Sequence, residues 1–312
     1  MSDSEGSTVL LQVDESANDV VHSSEDGVFA WLRPISETAC AAFSASVNSV
    51  LKYDRKHRHH RRFLHVDDRQ ERCRSPFSEE GSDTQPKRLE WLGAFKLSLQ
   101  ADLLDPAQGW YLGTDRGQKS PQVDILLAPP TKAWASQRIA SKHARLFFHQ
   151  ESGRIMLEAR HTVISSRTRT EILNKTKTCV IEHGGMLQFG TCSYIFEYTD
   201  LHSTDSFQRH LQQFMRNHHD PQWSLNRHLT PSSVGIAVPV GKYWCSATAL
   251  AQGTFGKITA GWTHEGRPVA VKTLKDPREG EVRIHQMIMK HIGHHVRVWQ
   301  TNLYTHIYKV KS

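Results

Sequence analysis

Three stretches of this 312-residue chain hold side chains whose types and spacing suit chemistry. The first is RKHRHHRR, Arg55 to Arg62, a dense basic run. Such a run binds acidic receptors or a nucleic-acid backbone, with nuclear import as one use, or it is a solvated charged face with no receptor. Its neighbours His57, His59, His60 and His65 are metal-ligand types, but the interleaved arginines repel a cation, so no metal is expected. The second stretch is a set of polar turn residues between apolar runs from Tyr111 to Asn174, rich in Arg, Lys, Ser and His. The third is Leu250–Ile258, with Gly253, Thr254, Phe255 and Gly256, followed by the apolar strand Val269-Ala270-Val271-Lys272. Glycines let a backbone come close to phosphate oxygens, and a strand-borne lysine supplies a point charge beside them.

Those residues need elements to hold them. LGAFKLSL (92–99), WYLGTD (110–115), VDILLA (123–128), HARLFFH (143–149), RIMLEA (154–159), TEIL (170–173), MLQFG (186–190) and SYIFEY (193–198) are short apolar runs, several alternating at period two. That pattern marks strands with one buried face, and many at close spacing predict an all-β sandwich. The strand set is complete from Leu92 to Tyr198, so a fragment of residues 86–200 is expected to fold alone. Residues 1–88, rich in Ser, Asp, Glu and Arg, are expected to be a disordered basic and acidic tail, with a helix possible at 36–52. Ser75-Pro76 and Thr84-Gln85 in this tail are candidate phosphate acceptors. Residues 201–241 read as a linker carrying a short amphipathic helix, with Phe207, Leu211, Phe214 and Met215 on one stripe that packs against a neighbouring domain.

Composition bounds the function classes. The net charge is +7 and hydrophobic residues make up 38%, which fits a soluble chain and does not by itself imply nucleic acid. Five scattered cysteines suggest no disulfide framework and a reducing compartment. The polar, acidic N-terminus is unlike a secretory signal, and no apolar run approaches the roughly 20 residues of a membrane span. Nucleus or cytoplasm is expected, with the nucleus favoured on the basic run.

The order and spacing of the strand region resemble the forkhead-associated (FHA) domain, a β-sandwich whose end loops bind phosphothreonine peptides. The resemblance rests on Tyr111-Leu112-Gly113, Val123-Asp124-Ile125-Leu126, Ile139-Ala140-Ser141-Lys142-His143-Ala144 and Ile181 to Gly190 before Tyr194–Tyr198. A phosphothreonine site needs a cation for the phosphate, a hydroxyl donor and a side-chain amide for the peptide backbone. In the family these are the Arg after the glycine, the Ser of Ser-x-x-His and the first Asn of Asn-Gly-Thr-x-x-Asn. Here Gly113 is followed by Thr114 and Asp115, with Arg116 later; Ala140 stands at the serine position beside Ser141; and Arg169 stands at the first Asn position, counted back from Asn174. Two readings follow. Either Arg116, Ser141, Lys142, Arg167, Arg169 and Asn174 rebuild a cationic pocket braced by His143, or the fold persists as a docking module without phosphate affinity.

The third stretch resembles the opening of a Ser/Thr protein kinase domain over residues 242–312, where Gly253, Thr254, Phe255 and Gly256 form the phosphate hairpin and Lys272 contacts the nucleotide phosphates. Ala251 replaces the first glycine. The glutamate partner of Lys272 is Glu281 in one register, while another puts Gln286 there. No His-Arg-Asp or Asp-Phe-Gly appears before Ser312, and the closing VRVWQTNLYTHIYKVKS matches nothing in the kinase pattern. The resemblance therefore implies weak ATP binding without magnesium ligands, no catalytic residues, and no phosphotransfer by this chain. An FHA domain before a kinase domain is the arrangement of checkpoint kinases of fungi and animals. The implied function is a phosphothreonine-peptide reader or signalling scaffold with an incomplete kinase domain; the alternative is the N-terminal part of an active FHA-containing kinase. The implied partner is a phosphothreonine-containing protein, with no membrane and no specific nucleic acid.

Overall fold

The computed structural model of the chain describes residues 27–52, 54–71, 89–116, 120–166, 170–224, 238–240, 243–254, 256–274, 298–302 and 305–308, and among these described residues eighteen strands dominate. In chain order they begin with β1 (Val28–Pro34), helices α1 (Glu37–Lys52) and α2 (Asp54–Arg61), β2 (Leu64–Glu71), β3 (Leu89–Ser98), β4 (Trp110–Gly113), β5 (Ile125–Leu126), β6 (Ala144–Phe148) and β7 (Ile155–Ala159). There follow β8 (Val163–Ser166), β9 (Thr170–Leu173), β10 (Thr178–Val180), β11 (Gly185–Phe189), β12 (Cys192–Tyr198) and α3 (Asp205–His218). The last part holds β13 (Val238–Val240), β14 (Tyr243–Gly253), β15 (Gly256–Thr263), β16 (Pro268–Leu274), β17 (Val298–Asn302) and β18 (Thr305–Tyr308).

The strands form a seven-stranded sheet ordered β2-β3-β1-β12-β11-β8-β9 and a five-stranded sheet ordered β10-β7-β6-β4-β5. One continuous apolar core holds side chains from both. The alternation that marks strands in the sequence is the alternation of burial here: Cys192, Tyr194, Phe196 and Tyr198 point inward along β12 while their neighbours are half-buried. A separate six-stranded sheet follows, ordered β13-β14-β15-β16-β18-β17.

The first sheet corrects the expected domain boundary. Residues 28–66 are not a tail: β1 lies between β3 and β12, with Ala30 opposite Tyr198 and Leu32 opposite both Phe196 and Phe95. Phe29 is fully buried against Trp110, Phe148 and Phe207. Helix α1 covers the sheet with Ala39, Phe43, Val47 and Val50, and Phe43 meets Phe95 edge-on at 5.2 Å. The segment is too short and polar overall to look like a core from sequence, yet its few apolar residues fall on the inward positions. Residues 1–26 and 72–88, with the two candidate phosphate acceptors, lie outside the described residues.

The linker reading also narrows. Helix α3 presents Phe207, Leu211, Phe214 and Met215 to the sandwich core, as its stripe predicts. Its start is capped by Thr204, whose hydroxyl accepts from Phe207 N–H at 3.2 Å. Trp223 closes over the same core, and its indole N–H donates to the Gln150 carbonyl.

Candidate functional site

Three loops meet at one end of the sandwich, and a buried histidine laces them. His143, 2% exposed, accepts the Ala140 N–H at Nδ1 (3.1 Å) and donates from Nε2 to the Thr162 carbonyl (3.0 Å). Its own amide donates to Leu112, and its carbonyl accepts from both Arg160 and His161. Burial pushes its pKa below the usual histidine value; the Thr162 carbonyl pulls the other way and His161 adds to the lowering. Its hydrogen bonds make it a neutral brace between these loops. Gly113 is needed here because an added Cβ would run into the Ser141 carbonyl.

Around this brace lies a groove of about 560 Å³ lined by Gln122, Ser141, Lys142, Arg160, His161, Thr162, Asn174 and Lys175. Ser141 and Lys142 come from the turn before β6, and Arg160 and His161 follow β7. Asn174 and Lys175 sit in the β9–β10 turn, which is closed by Lys177 N–H on Asn174 O and tied to β7 by Thr176 N–H on Ala159 O. Among the described residues no carboxylate lines the groove. The guanidinium of Arg160 and the ammonium of Lys142 both lie over the Tyr111 ring, at 5.5 and 4.8 Å from its centroid. Glu158 reaches Arg160 only at 3.5 Å, because its other oxygen is held by Arg145 at 2.6 and 2.9 Å. Arg160 Nε is buried with no hydrogen-bond partner among the described residues. The groove thus offers cations, hydroxyls and amides with little internal neutralisation, a set suited to an oxyanion.

The structure brings Ser141, Lys142 and Asn174 together and keeps Arg116 apart. Asp115 adopts the left-handed conformation (φ 43°), its carboxylate held by His60 and by the Gln122 N–H, and Arg116 then points to solvent. It lines a different pocket of about 190 Å³ with Thr114, Pro129, Lys132 and Trp134. Arg167 and Arg169 lie outside the described residues. Sequence reasoning missed Arg160 and Lys175. The signal was their position, directly after RIMLEA and directly after Asn174, at the same sandwich end as Ser141.

In the six-stranded sheet, Gly253 ends β14 and Gly256 begins β15, with the exposed Thr254 between them; Phe255 and Glu281 lie outside the described residues. Lys272 on β16 pairs with Ile258 on β15 and with His306 on β18. The closing stretch that matched no kinase motif therefore supplies two strands of this sheet. This sheet docks on the sandwich: the Arg154 guanidinium stacks 3.4 Å from the Trp262 ring centroid, and Val180 N–H donates to His264 O at 3.2 Å.

No known family matches the chain, and no curated protein is similar to it in sequence. Among solved structures, the crystal structure of Rad53 1-466 in complex with AMP-PNP is similar, with 17% identity and a TM-score of 0.36, covering 68% of this chain and 52% of that one. The chain spans about half the length of that structure. A superposition this loose leaves the mainly β architecture to rest on the strand pairing of the chain itself.

Proposed function

We propose that this chain is a phosphothreonine-peptide reader or signalling scaffold whose ligand sits in the groove of Ser141, Lys142, Arg160, Asn174 and Lys175. The observation that carries the reading is the assembly, from three loops, of three cations with no lining carboxylate among the described residues. A phosphothreonine brings close to two negative charges and three acceptor oxygens at neutral pH. Lys142, Arg160 and Lys175 supply the charge, Ser141 and Thr162 hydroxyl donors, and Asn174 and Gln122 amides for a peptide backbone. Nuclear residence belongs to the same proposal, resting on Arg58 and Arg62, which stay exposed on and just past helix α2. The test is calorimetry of the full chain with degenerate peptide pools carrying a fixed threonine or phosphothreonine. Binding confined to the phosphorylated pool is expected; equal binding of both pools would leave the sandwich as a docking module.

A second reading concerns the six-stranded sheet. Lys272 shares a sheet face with Ile258, an exposed apolar side chain, and the Gly253–Gly256 turn lies at the end of the same hairpin. That is half of a nucleotide site, an apolar surface for a base beside a cation for phosphates. ATP is expected to bind no tighter than about millimolar, roughly 4 kcal/mol. The N-terminal part of an active kinase is the alternative function, and phosphotransfer to a peptide that vanishes in Lys272→Ala would favour it.

A further inference from the structure

The basic run that the sequence singles out is not a loose charged tail. One of its histidines is inside the protein. His60 is 1% exposed and both of its ring nitrogens face acceptors: Nε2 lies 2.9 Å from the Asp115 carboxylate and Nδ1 lies 3.2 Å from the Asp124 carbonyl. Both ring nitrogens are thereby engaged, one by a side chain and one by a backbone carbonyl of the same loop. His59 Nε2 lies 3.0 Å from the Asp124 carboxylate and its ring packs on Phe63. Helix α2 is thereby pinned to the two ends of the loop between β4 and β5.

Both pinned aspartates continue to the groove. Asp115 Oδ1 accepts the N–H of Gln122, a groove residue, at 2.9 Å. Asp124 accepts the Tyr111 N–H at 2.9 Å and the Leu104 N–H at 2.9 Å, and its own N–H donates to Tyr111 O. Tyr111 is the ring over which Lys142 and Arg160 are held. The left-handed backbone at Asp115 is uncommon for a residue with a side chain and persists where surrounding bonds fix it. His60 is the buried partner that fixes it from outside the loop.

We infer that His60, with His59, is a positioning residue for the anion groove: the clip on Asp115 and Asp124 sets where Gln122 and the Tyr111-supported cations stand. This assigns the basic run a role inside the fold, and it rests on the phosphopeptide reading of the groove for its functional readout.

The experiment compares the full chain with His60→Ala, His60→Gln and Asp115→Ala for binding of the degenerate phosphothreonine pool, well below the unfolding temperature. His60→Ala is expected to weaken binding about tenfold and Asp115→Ala, which also frees Gln122, at least as much, with the double variant no worse than Asp115→Ala because the His60–Asp115 contact is already gone. His60→Gln keeps an N–H for Asp115 and is expected to recover most of the affinity. Val47→Ala, in α1, serves as a control of general destabilisation and is expected to bind like the wild type. The Gln122 amide NMR resonance is expected to move in His60→Ala. Wild-type affinity in His60→Ala, or a loss matched by Val47→Ala, would overturn the positioning role while leaving the phosphopeptide reading intact. If the wild type binds no phosphothreonine pool, that reading fails by itself. Amide exchange over residues 113–116 and 120–124 then decides the clip: unchanged protection in His60→Ala overturns it, and lost protection supports it.

Discussion

At the scale of single residues, the groove and its brace make opposite use of charge. Arg160 is under-neutralised, since Glu158 is committed to Arg145. Charge-assisted bonds contribute about 1.5–3 kcal/mol each, so Arg160→Gln is expected to weaken phosphopeptide binding about tenfold or more. Arg116→Ala, in the separate pocket, is expected to change it less than about twofold, within the range of a surface substitution. Calorimetry on both variants checks the pair, and a larger loss at Arg116 would move the ligand to the Trp134 pocket. His143 does the reverse and stays neutral. Its folded pKa lies below its unfolded value, so the unfolded state takes up the proton first as pH falls. Its contribution to stability is therefore full above about pH 6.5, the unfolded histidine value, and is lost as pH drops below it. His149 and His219 are lowered by burial in the same direction. Denaturant midpoints are expected to fall from pH 7 to pH 5, with a shallower fall in His143→Gln; an unchanged slope would remove His143 from the account.

At the scale of elements, strand β1 and helix α3 decide whether there is a core at all. A fragment of residues 86–200 lacks β1, which leaves the inner edges of β3 and β12 unpaired and removes Phe29 from its aromatic cluster. It also lacks the Phe207 and Phe214 faces of α3. The expectation that 86–200 folds alone is overturned by this pairing, because a sheet cannot lose a central strand and keep its ladder. Residues 27–224 are expected to give a cooperative β-rich unfolding transition, and 86–200 to be aggregated or unfolded by far-UV dichroism. Within the longer fragment, Phe207→Ala is expected to cost about 3–5 kcal/mol, the usual range for emptying a fully buried aromatic site. A loss below about 1 kcal/mol would mean that the core closes without α3.

At the scale of the whole molecule, the sandwich and the six-stranded sheet meet through few but buried contacts. Arg154 is 4% exposed and its pKa is lowered by burial, with Glu182 acting against that shift. It stacks on Trp262, itself 1% exposed, and the β15–β16 turn fits against Met156 and His149 only because residue 266 is glycine, in the left-handed conformation with no Cβ. His264 Nε2 lies 3.0 Å from the Glu171 carboxylate, on the strand that leads into the Asn174 turn. Trp262→Ala would leave the Arg154 guanidinium without its aromatic partner. The variant is expected to unfold in two calorimetric steps where the wild type shows one, the sheet first. A single unshifted transition would show that the seam contributes nothing to stability.

The sequence by itself determined the sandwich and its gross order, because period-two burial is a local property. It also located Ser141, Lys142, His143 and Asn174 in strand-end turns, and the Gly253–Gly256 hairpin before Lys272. Tertiary structure alone decided the rest. Whether VFAWLRP is an edge or a central strand depends on partners distant in sequence, Phe95 and Phe196, which no local pattern names. Arg116 and Arg160 are alike as residues. One is turned out by the bent backbone of Asp115, and the other is laid over Tyr111 beside an already occupied glutamate. His60 reads as one more member of a charged run until its two acceptors arrive from positions 115 and 124. Period and composition are written residue by residue, whereas the partners of a polar side chain depend on which loops the closed fold brings within about 3 Å of it.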